Sequence, residues 1–186
     1  MSEPVFAQAE RRSFLVPILI ALAALAGAIA LAIHFFPVTT VAVAHVHTDL
    51  LPTHTVYKSD SIVLGQDHTE DVLFVATTLR IDNTTRNPIT LDGFHLTFTD
   101  PTGAQLTEEA VNRHDLPNLE TTFPAIKPLE GNRLQRDSVI QPGQSAQGTL
   151  IFALPIPQSL WDSRKDASVQ LDLYHLKPVF QLIPKA

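Results

Sequence analysis

The sequence predicts a mainly β protein, an antiparallel β-sandwich preceded by one N-terminal transmembrane α-helix. Three observations carry this expectation. Residues 14–36, FLVPILIALAALAGAIALAIHFF, contain no Asp, Glu, Lys or Arg. After Pro37 the hydrophobic pattern changes from continuous to alternating, with turn residues about every 8–12 positions. The 186-residue chain has no cysteine, yet about 150 residues follow the apolar run, enough to bury one core without staples.

A helix over the 23 residues from Phe14 to Phe36 rises about 35 Å, against a hydrocarbon core of roughly 30 Å. Arg11 and Arg12 precede it, and no Lys or Arg follows until after Tyr57. The positive-inside rule then makes residues 1–13 a cytoplasmic tail and puts residues 37–186 outside, in the periplasm or the exterior, which places the protein in the inner membrane. A cleaved signal peptide is the competing reading, with Ala42-Val43-Ala44 as its small-x-small site. The apolar run exceeds the usual length of such a signal, which favours an uncleaved anchor. Ala24, Gly27 and Ala28 would let a second helix approach closely, giving a homo- or hetero-oligomer through the helix.

The elements follow in order. Val41, Val43 and His45 alternate with Ala42, Ala44 and Val46 as a first strand, and Ser59–Glu70 reads as a polar loop. Val72–Asp82 is a β-branched strand, closed by the turn cluster Asn83–Pro88. In Ile89–Thr99 the apolar Phe94, Leu96 and Phe98 alternate with His95, Thr97 and Thr99, so one face is buried and the other wet. Asp100-Pro-Thr-Gly103 turns the chain into Ala104–Val111. Residues 112–133 hold three prolines and no sustained period, and read as a long irregular loop that packs Leu116, Leu119, Phe123 and Ile126. Such a loop is either functional or a crossover covering one end of the core. Strands resume at Leu134–Ile140, Ala146–Leu154, Ala167–His175 and Val179–Ile183, with a short turn or helix over Gln158–Lys165.

Three pieces resemble a known pattern: Leu79–Pro88 with its Asn-Thr-Thr turn, the Asp100–Gly103 hairpin turn, and Ile140-Gln-Pro-Gly-Gln144 leading to Gly148–Phe152. Together they resemble bacterial membrane-anchored extracytoplasmic immunoglobulin-like domains of unknown function, and more distantly the late-embryogenesis-abundant water-stress β-sandwich. The resemblance covers residues 72–173. It implies an immunoglobulin-like sandwich with an accessory or binding role and carries over no catalytic residue.

The charge excludes some partners. Beyond residue 36 there remain 11 basic and 17 acidic residues, a net charge of −6, the reverse of a nucleic-acid-binding surface. Without cysteine there is no thiol nucleophile, thiolate zinc site or iron–sulfur cluster. His45 and His47, two apart on a strand, would share a face and hold one metal ion, with His54 or His68 as a third ligand. Solvent-facing histidines are the plainer account. Gly143-Gln-Ser-Ala-Gln lacks the strained elbow of a serine hydrolase, and no phosphate-cradling glycine motif is present. Asn83-Thr84-Thr85 fits the glycosylation acceptor pattern as well as an ordinary turn. Trp161, Tyr174 and Phe180 are either an exposed aromatic patch or, for Trp161, a core plug.

The expected function is therefore that of a non-enzymatic, membrane-anchored accessory or binding protein of the cell envelope. It would act by contact with another envelope protein and use no cofactor, with no residue assigned to catalysis, cofactor or metal. The alternative is a periplasmic metal or small-ligand carrier using His45 and His47.

Overall fold

The computed structural model describes residues 15–35, 41–57, 68–129 and 131–185. The chain divides into two compact units, Met1–Thr39 and Thr40–Ala186. In the first, helix α1 runs Leu15–Phe35. Among its described side chains Leu15, Ile18, Leu22 and Leu31 are exposed. Among the described residues no helix is long and apolar enough to cross a membrane. That finding overturns the expected transmembrane helix over 14–36, whose two end residues lie outside the described residues. The single-pass topology, the membrane as partner, oligomerisation through the helix and the inner-membrane location fall with it. The expected tail over 1–13 also lies outside the described residues.

The second unit is mainly β, with two open sheets. In one, β1 (Val41–Tyr57) pairs antiparallel with β2 (His68–Asn83), and β2 pairs on its other side with β6 (Ser145–Leu154). In the other the order is β4 (Gln105–Glu109), β3 (Ile89–Thr99), β7 (Asp166–Leu173) and β8 (Val179–Leu182), and the two-residue β5 (Val139–Ile140) pairs with the start of β3. The first strand is longer than its alternation suggested, because Leu50-Leu51-Pro52 continues the pairing through the break in pattern. The strand expected over Leu134–Ile140 shrinks to Val139–Ile140, since residues 131–137 are diverted to another task described below.

Side-chain alternation builds the core. Leu73, Val75, Leu79 and Ile81 of β2 face Leu96, Phe98, Val169 and Leu171 of the second sheet, with Phe152 and Leu154 of β6 beside them. Burying each such side chain contributes on the order of 1.5–3 kcal/mol. The other face of β2 and β6 is buried too. Phe74, Ala76 and Ile151 pack against Leu116 and Ile126, with Leu119, Phe123 and Leu129 around them. Those partners come from α2 (Leu116–Thr122) and the 3-10 helix Pro124–Leu129, so the stretch read as irregular is a crossover that roofs the three-stranded sheet. Leu73 through Leu79 is accordingly buried without interruption. A strand covered on both faces reads as a continuous apolar run, and one covered on a single face alternates.

The remaining element, α3 (Gln158–Asp162), carries Trp161 inward, where the ring stacks on Phe98 with centroids 6.0 Å apart. Arg164 lies over that ring at 4.3 Å and donates to the carbonyl of Pro184, tying down the C-terminal segment.

Candidate functional site

The chain passes between its two sheets twice in one neighbourhood, and the space between the passages is a cleft of about 920 Å³. The first passage leaves β4. The Ala110 amide donates to Phe94 of the five-stranded sheet, and the next amide, Val111, donates to Ile151 of the three-stranded sheet. The second passage runs the other way. The Asn132 carbonyl accepts from Thr149 of β6 at 2.6 Å, and five residues on the Asp137 amide donates to Leu91 of β3 at 2.8 Å. Residues 109–116 and 133–137 line the cleft, together with the buried Phe94, Leu150 and Ile151.

Gly148 makes the second passage fit. A Cβ there would lie 2.6 Å from the Leu134 nitrogen, 2.7 Å from the Asn132 oxygen and 2.8 Å from the Arg133 carbonyl carbon. Only a residue without a side chain lets residues 132–134 rest on β6. Asp137 is a second constrained point, a non-glycine residue at φ 61° in the left-handed region. Asp tolerates that region better than most residues, and the hydrogen bonds of Asp137 and Ser138 to the Leu91 backbone hold it there.

Three arginines of this acidic chain line the cleft, and they are engaged differently. Arg136 meets Glu109 at 3.3 Å and Asp92 at 3.7 Å. Arg133 meets Glu120 on α2 at 3.7 Å. Arg113 donates to a neutral acceptor, the Gln135 side-chain oxygen, at 3.5 Å. Asp115 stands at the N-terminal boundary of α2 without capping it.

The structure separates the histidines that the sequence put together. A β-bulge at Val46 shifts the register, so His45 sits opposite Leu79 and His47 opposite Thr78. Adjacent partners point to opposite faces of a sheet, so the two rings do too. His45 bonds the Thr48 hydroxyl at 2.8 Å, and Thr48 donates to Thr77. His47 lies 3.4 Å from the Thr78 hydroxyl on the other side and 3.4 Å from Asp49. Burial, and then the charge of His47, hold the His45 pKa below its ordinary value. His54 pairs with Asp71 at 2.6 Å. Among the described residues no group of three or more His, Cys, Asp or Glu is placed to hold a metal ion. The carrier reading built on His45 and His47 is thereby overturned. The spacing implied a shared face, and the inserted bulge residue breaks the two-residue period.

Two further readings resolve. Asn83 is 1% exposed, its amide donates to the carbonyls of Asn87 and Ile140, and its oxygen accepts from Thr85. It is a turn lock with no free nitrogen for a glycan. Trp161 is buried while Tyr174 and Phe180 are exposed, so the three do not form one patch. The cleft was missed in the sequence. Its trace there was the recurrence of Arg113, Arg133 and Arg136 at the margins of the aperiodic stretch of an acidic chain.

No family model matches the chain, and no curated protein does. Among solved structures it is similar to a functionally unknown protein from Listeria monocytogenes EGD-e, at 9% identity over 80% of this chain and 89% of that one, with a TM-score of 0.38. An uncharacterized β-sandwich protein from Clostridium difficile 630 gives 10%, 77% and 85%, with a TM-score of 0.36. The putative ApaA protein from Bordetella pertussis gives 16%, 80% and 93%, with a TM-score of 0.32. Likenesses this weak do not support membership of the immunoglobulin-like or water-stress families, and that expectation is withdrawn. The motifs behind it were turn signals, Asp100–Gly103 and Gln141–Gln144 among them, and these serve any antiparallel connection of the same geometry. The envelope-accessory role inferred from the families and the membrane anchor is withdrawn with it.

Proposed function

We propose that this protein is a non-enzymatic recognition domain that takes a small ligand in the cleft between the two inter-sheet passages. The observation that carries the reading is the cleft itself. At about 920 Å³ it lies in the range of small-molecule sites, and it combines a buried apolar lining with polar groups on its two walls. Its electrostatics favour binding over chemistry. Glu109, Arg136, Arg133 and their partners are engaged with one another, which fixes the walls.

The test is titration of the full-length, isotope-labelled chain with a panel of several hundred polar fragments, followed by amide chemical shifts. The expected result is one group of perturbed signals within residues 109–116 and 133–137. Perturbations elsewhere, or none with any fragment, refute the reading.

A further inference from the structure

Resting on the recognition reading above, we propose that the cleft takes an amino-acid-type zwitterion, with a basic side chain preferred. The inference comes from which charges around the cleft are already engaged. Six charged side chains line it: Glu109, Arg113, Asp115, Arg133, Arg136 and Asp137. Glu109 and Arg136 are bound to each other, and Arg133 reaches Glu120. The other three stay open. Arg113 has only the neutral Gln135 oxygen at 3.5 Å, the long end of hydrogen-bonding distance. Neither Asp115 nor Asp137 has a side-chain hydrogen bond or ion pair among the described residues. One open guanidinium and two open carboxylates thus border one cleft.

A guanidinium recognises a carboxylate by two parallel hydrogen bonds, and a carboxylate recognises an ammonium as a compact donor. A simple anion would meet Arg113 but face two carboxylates. A simple cation would leave the guanidinium unanswered. A ligand with one carboxylate and two ammonium groups answers all three, and one with a single ammonium answers two.

The experiment uses the full chain at fixed physiological ionic strength and three probes: L-lysine, L-leucine and L-leucinamide, which lacks the carboxylate. Amide shifts in residues 109–116 and 133–137 are followed to saturation. L-Lysine should bind tightest, and L-leucine at least tenfold tighter than L-leucinamide. Arg113→Gln should remove the difference between L-leucine and L-leucinamide, and Asp137→Asn should weaken L-lysine at least tenfold. Both variants should melt within about one degree of the parent, since neither group has an internal ionic partner to lose. L-Leucinamide binding as tightly as L-leucine, or Arg113→Gln leaving their ratio unchanged, overturns the proposal. If all three probes shift the cleft equally, or if only other fragments do, the zwitterion fails and the recognition reading stands. If neither the probes nor the fragment panel shift it, both fail.

Discussion

Replacing Gly148 by alanine should damage the fold and the cleft together, and the size of the damage follows from three distances. The new methyl would lie 2.6, 2.7 and 2.8 Å from the backbone atoms of Leu134, Asn132 and Arg133. Ordinary contact starts near 3.4 Å, so a separation of about 0.8 Å must be found between β6 and residues 132–134. No side chain can rotate to supply it, because all three atoms belong to the backbone. Overpacking of this kind costs about 1–3 kcal/mol. Moving the segment away also loses the Thr149 to Asn132 hydrogen bond, worth about 1 kcal/mol net. The sum is about 2–4 kcal/mol, and at about 3 °C per kcal/mol for a chain of this size Tm should fall by about 6–12 °C. Circular dichroism melts measure this directly. Hydrogen exchange localises it, since the Thr149 amide should lose protection while the Val75 amide in the middle of β2 keeps it. Gly103→Ala is the matched control. It has the unfavourable φ of 97° but nothing within 4 Å of the new methyl, so it should cost only the about 1–2 kcal/mol of a left-handed alanine and leave Thr149 protected. A Gly148→Ala protein melting within one degree of the parent, with Thr149 still protected, would refute the close-approach argument.

Other outcomes follow from the same packing. Asn83→Ala removes two amide donors to Asn87 and Ile140 and the acceptor for Thr85 at a site 1% exposed, so urea denaturation should show a loss of about 2–5 kcal/mol. His45 has its pKa held below 6.5 in the folded protein, so folding disfavours its protonation. Stability is therefore complete above about pH 6.5 and declines as pH falls through the folded-state value. His45→Gln should flatten the urea midpoint against pH across that acidic window. Trp161→Ala empties a site 2% exposed, between Phe98 and Arg164, and should cost about 3–5 kcal/mol by denaturant titration.

Much of the β framework was legible because local chemistry announces it. The turn at Asp100 forms as its residues require, with the carboxylate accepting from the amides of Thr102 and Ala104 and from the Thr102 hydroxyl. The alternation in β3 gave its buried face, with Leu96 and Phe98 inside. What failed depended on residues far apart in the chain. The bulge at Val46 leaves no local mark, because Ala44-His45-Val46-His47 alternates as well as any strand, and the register of β2 decides which face each histidine takes. The roof over β2 and β6 was signalled by the unbroken run Val72–Ala76 and by Leu150–Leu154, against the alternation in Val169–Leu173. Reading those runs as strands was correct, but their meaning was a third layer. The cleft could not be read, because its walls owe their spacing to Gly148, whose role exists only once residues 132–134 lie against it.

The crossover has two duties, and they pull on the same residues. Leu116 and Ile126 bury the outer face of the three-stranded sheet, while Arg113 and Asp115, one to three residues from Leu116, border the cleft. A ligand ordering residues 113–115 would therefore act on the start of α2 and, through Leu116, on Phe74 and Ile151. The first turn of α2 has no side-chain cap, so the Asp115 carboxylate is not already committed to the helix. An N-cap carboxylate that bonded the helix amides would contribute about 1 kcal/mol to α2, and a ligand would have to compete with it. The helical backbone of Asp115 and the missing N–H of Pro117 account for the absent cap, and the carboxylate is left at the border of the cleft. On the opposite wall Asp137 holds its left-handed backbone through the hydrogen bonds to Leu91.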